Sequence, residues 1–242
     1  MKIMYLLLLL AFSGQLVLAQ STRLSGLEAD NNLRLLGTDG TSSAVRLFDN
    51  RYAGVKGNPF FRNEWCKAKI YMGNLVFEDV NVKYDLYDNK LLIKNSEGKV
   101  YEALPVKVNQ LELQDSLTHQ TYVMKRADAM GAADLQLAQR LAISIYEGDK
   151  VKLYLMPQKT LLKASYQESY SANRTQDEFV YKEDYYLITP GNAVKNVKLS
   201  KRNLLKALPN KQKEVEAYIA SERINLGTAS GWAKALAFYE SL

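Results

Sequence analysis

One histidine, His119, and one cysteine, Cys66, bound the chemistry open to this chain. Any Ser-His-Asp or Cys-His arrangement would have to run through His119. That residue lies in Ser116-Leu117-Thr118-His119-Gln120, a polar stretch where an exposed loop histidine is expected. Zinc sites need several His or Cys ligands and cannot be built from one of each. Glycine-rich phosphate loops and nucleophile-elbow patterns are also missing from the sequence. No cofactor, no metal site and no catalytic residue is therefore expected. Carboxylates are the remaining reactive type, with adjacent pairs at Glu78-Asp79, Asp177-Glu178 and Glu183-Asp184. Successive strand residues point to opposite faces, so two acids flanking one glycosidic bond would have to converge from separate places. Solvated turn and edge charges are their expected role. Cys66, beside Trp65, reads as a buried small hydrophobe rather than a reactive thiol.

Two clusters could bind rather than react. The chain has 16 tyrosines, and Tyr166, Tyr170, Tyr181, Tyr185 and Tyr186 gather around one presumptive hairpin and loop. Such rings can stack on a sugar or a partner protein, although sheet packing uses the same residues. The second cluster is basic: Lys195, Lys198, Lys201, Arg202, Lys206, Lys211 and Lys213 come before any acid of the tail. Residues 192–242 carry nine basic and four acidic side chains, while the whole chain has a net charge of +6 including Lys2. The excess therefore sits in the tail. Contact with an anionic polymer, or plain solubility, explains it better than nucleic-acid binding, because the chain reads as exported.

Export is read from residues 1–19. Lys2, the apolar run Leu6–Phe12 and Val17-Leu18-Ala19 give the pattern of a signal peptide cleaved before Gln20. The run is too short for a membrane span, and no later run is long and apolar enough for one. A periplasmic or secreted location follows as the expectation, with no transmembrane segment in the mature chain.

The elements that would position these residues are strands first and helices last. Val80, Val82, Tyr84 and Leu86 alternate with Asn81, Lys83, Asp85 and Tyr87, which is the period of a half-buried strand. Gly73-Asn74 and Asp88-Asn89 supply turns on either side. Further strands are expected at 100–113, with a bulge or edge at Pro105, and at 122–124. Hairpins are expected at 141–156 and at 179–188, the latter turning at Lys182-Glu183-Asp184. Residues 20–50 read as an irregular lead-in with one or two edge strands, and 127–138 as a helical turn or loop. After Thr189-Pro190-Gly191-Asn192 the period changes. Ser200 caps a helix with Leu204, Leu205 and Leu208; a second spans 211–222; Thr228 or Ser230 caps a third carrying Trp232, Leu236 and Tyr239. Their apolar stripes are narrow, so they must pack on each other or on the sheet. The fold class is α+β: an antiparallel meander over 51–191, as a curled sheet or partly closed barrel, followed by a basic helical tail over 192–242 packed on it.

Five stretches also carry a resemblance. Tyr52-Ala-Gly-Val-Lys-Gly-Asn-Pro-Phe-Phe, Tyr84-Asp-Leu-Tyr-Asp-Asn, Tyr146-Glu-Gly, Lys182-Glu-Asp-Tyr-Tyr and Phe238-Tyr-Glu-Ser-Leu, in that order, resemble a family of uncharacterised exported proteins of Bacteroidota over about residues 52–242. The resemblance implies a bacterial envelope location and no activity, cofactor or catalytic residue. Three functions stay open: a non-catalytic envelope protein binding a protein or polymer, a carrier of a small apolar ligand in the β domain, and a carboxylate-dependent hydrolase.

Overall fold

Alternation builds the strands. In β3 (Leu75–Asp85) the side chains of Val80, Val82 and Tyr84 are buried, while Asn81 and Lys83 line the other face. Its neighbour β2 (Cys66–Met72) buries Cys66, Ala68 and Ile70 in the same way, and the two meet through the turn Gly73-Asn74, where Gly73 has φ +55°. The computed structural model describes residues 21–33, 51–130, 135–164, 176–189 and 193–242. The expected signal peptide lies outside these, as do Tyr166 and Tyr170.

Eleven strands form one open sheet. A first meander runs through β2, β3, β4 (Lys90–Lys94) and β5 (Val100–Ala103). The chain then returns through a 3-10 turn at Pro105–Lys107, and β6 (Gln110–Gln114) pairs with the free edge of β2. A second meander continues through β7 (Thr121–Arg126), β8 (Leu141–Glu147), β9 (Lys152–Leu162), β10 (Glu178–Thr189) and β11 (Ala193–Val197). All of these pairings are antiparallel. The exception is β1 (Thr22–Leu24), which runs parallel to β3 from Thr22 opposite Leu75 to Leu24 opposite Phe77. It takes the part of that edge which β4, paired from Asn81 onward, leaves open.

The sheet does not close, but a strap ties two of its distant strands together. Residues 51–61 bond to the start of β10 through Lys56 N–H to Asp177 O (2.8 Å) and Phe179 N–H to Lys56 O (2.9 Å). A few residues on, Phe61 N–H donates to Tyr84 O (2.8 Å) and Leu86 N–H to Pro59 O (2.9 Å). A stretch this short joins two strands that stand far apart in the sheet order, so the sheet must curl. Edge-to-face rings lock the junction, with Tyr52 4.9 Å and Tyr87 5.4 Å from Phe179.

The inner face of the curl is filled by the chain's own side chains, among them Ile70, Phe77, Leu91, Ile93, Leu111 and Met124, all fully buried. Toward β8–β10 the same face is covered by the tail. Helices α3 (Lys201–Ala207), α4 (Gln212–Ser221) and α5 (Ala229–Ser241) bury Leu204, Val215, Trp232 and Leu236 against Val151, Leu153 and Leu187. Ser200 accepts from Asn203 N–H (3.3 Å) and Thr228 from Gly231 N–H (3.1 Å), so both expected caps form. Glu240 then accepts from Lys150 N–H (2.7 Å) and Val151 N–H (3.3 Å), fastening α5 to the β8–β9 turn.

Several expectations change. The lead-in supplies one edge strand as expected, β1, but also the helix α1 (Gly26–Asn32), whose Ala29 is buried in the main core. Lys182-Glu183-Asp184 is no turn: β10 runs straight through it, paired with β9 from Glu178 opposite Leu162 to Ile188 opposite Lys152. The triad has no Gly, Asn or Pro to reverse the chain, and its charges simply face outward or into a cleft. The sheet also passes the expected boundary at 191, because β11 pairs with β10 up to Val197 opposite Tyr185. Pro105 separates two strands rather than sitting within one, whereas within 127–138 the expected helical turns form, a 3-10 turn at Ala127–Met130 and the short helix α2 (Leu135–Ala138).

Candidate functional site

Where the strap meets β7–β10, the inner face opens into a cleft of about 330 Å³. Phe61, Arg62, Tyr122, Ile143, Leu155, Lys159, Tyr181 and Glu183 line it. Strand periodicity puts the sheet residues there. Tyr181 stands opposite Lys159 and Tyr185 opposite Leu155, so Tyr181, Glu183 and Tyr185 share one face of β10 with Leu155 and Lys159 of β9. Ile143 of β8 joins the row opposite Leu155. The strap adds Phe61 and Arg62 from the side.

Glu183 is the carboxylate at the centre. It accepts the Tyr185 hydroxyl at 2.7 Å and the Tyr181 hydroxyl at 3.2 Å. Both phenols are held far above their usual range, first by burial and then by that carboxylate. They are therefore fixed as donors, not as bases. Lys159 lies on the same face but reaches to the strap, donating to Asn58 O at 3.0 Å. It forms no ion pair among the described residues, and burial holds its ammonium below the usual lysine range.

Arg62, held by Asp115, closes the far wall. The Arg62 guanidinium donates Nε to Asp115, Nη2 to the Tyr122 hydroxyl (2.5 Å) and Nη1 to Phe61 O (3.2 Å). It lies over the rings of Phe61 (4.4 Å) and Tyr122 (5.0 Å). Burial works against its charge, but Asp115 and Tyr122 together hold its pKa above the ordinary arginine value. Asp115 is pushed down to about 2, first by the N–H groups of Thr118 and Leu117 and then, against its desolvation, by Arg62. A carboxylate so fully occupied cannot deliver a proton at neutral pH.

Of the tyrosines singled out by sequence, Tyr181 and Tyr185 share the Glu183 carboxylate, and Tyr181 lines the cleft itself. Tyr186 points to the opposite face, beside Tyr154, Met156 and Ile188. Arg62, Tyr122 and Lys159 were missed, because a cleft formed across β7, β9, β10 and a strap leaves no local spacing to read. The adjacent acids have partners. Asp177 pairs with Lys163 (2.8 Å), Glu178 with Lys56 (2.8 Å) and Asp184 with Lys182 (2.8 Å). Glu78 and Asp79 do not split between the two faces. Asp79 has φ +56° at a bulge where the β2–β3 register shifts, so both acids meet the outward lysines of β2, Glu78 at Lys69 (2.9 Å) and Asp79 at Lys67 (2.9 Å).

His119 is exposed in its turn with φ +58°, and Cys66 is buried, its thiol pushed up by desolvation. The basic run spreads over three elements: Lys195 and Lys198 on and just after β11, Lys201, Arg202 and Lys206 on α3, and Lys211 and Lys213 at the start of α4. Lys201 pairs with Glu216 (2.7 Å) and Lys211 with Glu214 (3.5 Å), whereas the other five form no ion pair among the described residues. Among the described residues no helix is long and apolar enough to cross a membrane, and no group of three metal-binding side chains occurs. Compared with family models, with curated proteins and with solved structures, the chain finds no match, so the site is read from its own chemistry.

Proposed function

We propose that this is an exported, non-catalytic binding protein of the bacterial envelope, and that the cleft between the strap and β7–β10 holds a segment of a polar polymer or protein partner. The observation that carries this reading is the lining itself. Aromatic rings, one carboxylate and one ammonium without an acid partner among the described residues stand on strands fixed by long hydrogen-bonded ladders. Such walls offer stacking surface and directional polar contacts at little ordering cost. The acids favour binding over hydrolysis, since Glu183 is engaged by two tyrosines and Asp115 by Arg62 and two amides. An apolar carrier would need an uncharged, unfilled inner face, and here the uncharged part of that face is occupied by core side chains.

Export with removal of residues 1–19 belongs to the same proposal, as does the envelope location that the family resemblance supports. Affinity capture from native envelope extract tests the cleft, using the mature chain beside Lys159→Met and Tyr181→Ala variants. A ligand retained by the wild type and released by both variants is expected. Identical retention by all three would move the site elsewhere. Intact-mass analysis of the envelope fraction should show a chain starting at Gln20; a chain still starting at Met1 would remove the export reading.

A further inference from the structure

Lysines on strands β2–β7 mostly have carboxylates of their own. Lys67 meets Asp79, Lys69 meets Glu78, Lys90 meets Glu102 and Lys125 meets Glu147. Lys83 of β3 and Lys94 of β4 break that pattern. Lys83 stands opposite Leu92 and Lys94 opposite Asn81, which makes the two lysines diagonal neighbours on the outer face. Neither forms an ion pair among the described residues. Both ammonium groups instead lie over one ring, Trp65, with Lys83 5.4 Å and Lys94 4.7 Å from its centroid. Lys83 is also 4.9 Å from the ring of Phe60. Burial lowers the Lys83 pKa, the Glu64 charge acts the other way, and the Lys94 charge lowers it again.

An aromatic face is a weaker partner for a cation than a carboxylate is, and two cations on one ring repel each other. The strap and the strand order hold them there regardless. Two ammonium groups act as point charges with freely turning donors, which suits the oxygens of a tetrahedral anion; the planar fork that matches a carboxylate is the property of arginine. We propose that Lys83 and Lys94, over a floor of Trp65 and Phe60, form a binding site for a phosphate or sulfate group. The site lies on the outer face, apart from the inner cleft, and does not depend on what the cleft holds.

Trp65 is also the reporter. The chain has two tryptophans, and Trp232 is fully buried among the tail helices, so a change in emission on ligand addition reads Trp65. The full mature chain is titrated at constant ionic strength with inorganic phosphate, inorganic sulfate, chloride, dextran sulfate and neutral dextran. A saturable emission change with the anions is expected, weakened about tenfold by Lys83→Gln or Lys94→Gln and abolished by the double variant. Lys67→Gln, on the same face but paired, should leave it unchanged. Response to inorganic phosphate or sulfate assigns the free ion, and response to dextran sulfate alone assigns a polymer-borne group. An equal response from chloride or neutral dextran, an unaltered response in the double variant, or no response at all would overturn the proposal. Urea midpoints of the variants confirm that they fold.

Discussion

Trp232→Ala tests whether the tail is part of the folded unit. The indole is fully buried between α3–α5 and the inner face of the sheet, and its Nε1–H donates to Leu226 O at 3.0 Å. A buried tryptophan removes roughly 150–250 Å² from water, which at about 25 cal/mol per Å² is about 4–6 kcal/mol. Measured Trp→Ala changes in cores centre near 3–5 kcal/mol because the cavity partly collapses. The orphaned Leu226 carbonyl adds about 1 kcal/mol or more unless water reaches it. A loss of about 4 kcal/mol is therefore expected, a large share of the roughly 5–15 kcal/mol that holds a domain of this kind together. Trp232→Phe keeps most of the packing and should lose about half as much or less. Urea unfolding followed by far-ultraviolet circular dichroism measures both. In Trp232→Ala the remaining tryptophan, Trp65, reports the sheet alone, and its transition should move together with the dichroism. A midpoint within error of wild type, or a Trp65 transition that stays put while helical signal is lost first, would refute the reasoning.

Three further outcomes follow from the same structure. Asp85 is buried at the end of β3, accepts the N–H groups of Tyr87 and Asp88, and is pushed up to about 6, first by desolvation. Its folded pKa lies above the unfolded one, so its contribution to stability is full below about pH 4 and is lost as pH rises through about 6. Asp85→Asn keeps an acceptor and should flatten the stability profile between pH 4 and 7 by up to about 2 kcal/mol, checked by urea titrations across that range; parallel wild-type and variant profiles would contradict it. Glu240→Ala removes the acceptor for Lys150 and Val151 N–H and should cost about 1.5–3 kcal/mol, with amide exchange of the β8–β9 turn quickened; unchanged exchange would leave α5 held by its apolar stripe alone. The unpaired tail cations Lys195, Lys198, Arg202 and Lys206 should support association with anionic envelope vesicles that weakens as the Debye length falls from about 10 Å at 0.1 M salt to about 3 Å at 1 M; equal, salt-independent sedimentation of a four-Gln variant would make them a solubility feature.

Local physics explains which parts were legible in advance. The β2–β3–β4 meander shows in the sequence because an alternating strand and a turn residue at positive φ both sit within a few positions of each other, as at Gly73 and Asn89. The tail was legible through Ser200, Thr228 and the Trp232–Leu236–Tyr239 stripe, again all local. The mid-strand triad Lys182-Glu183-Asp184 misled because a charged run resembles a turn until its partner strand is known. With β9 alongside, each residue has a cross-strand neighbour and no reversal is needed. The cleft was illegible for the same reason. Tyr181 carried a signal through tyrosine clustering, but Arg62, Tyr122 and Lys159 come together only through the curl and the strap.

The five sequence stretches that stand out, scattered from Tyr52 to Leu242, collapse in space to a few junctions. The strap at 52–61 bonds to the Tyr84–Asn89 turn and to the start of β10. The Tyr146-Glu-Gly turn meets the C-terminal stretch through Glu240, and at Gly148 a Cβ would push that carboxylate aside. Lys182 to Tyr186 lies between, and carries the cleft carboxylate Glu183 and its partner Tyr185. One junction therefore sets how far the sheet curls, and the other sets where the tail covers its inner face. The cleft is the part of the inner face that neither the core nor the tail fills. The strap junction supplies Phe61 to the lining directly, whereas loosening the Glu240 junction should change the cleft without touching a residue that lines it.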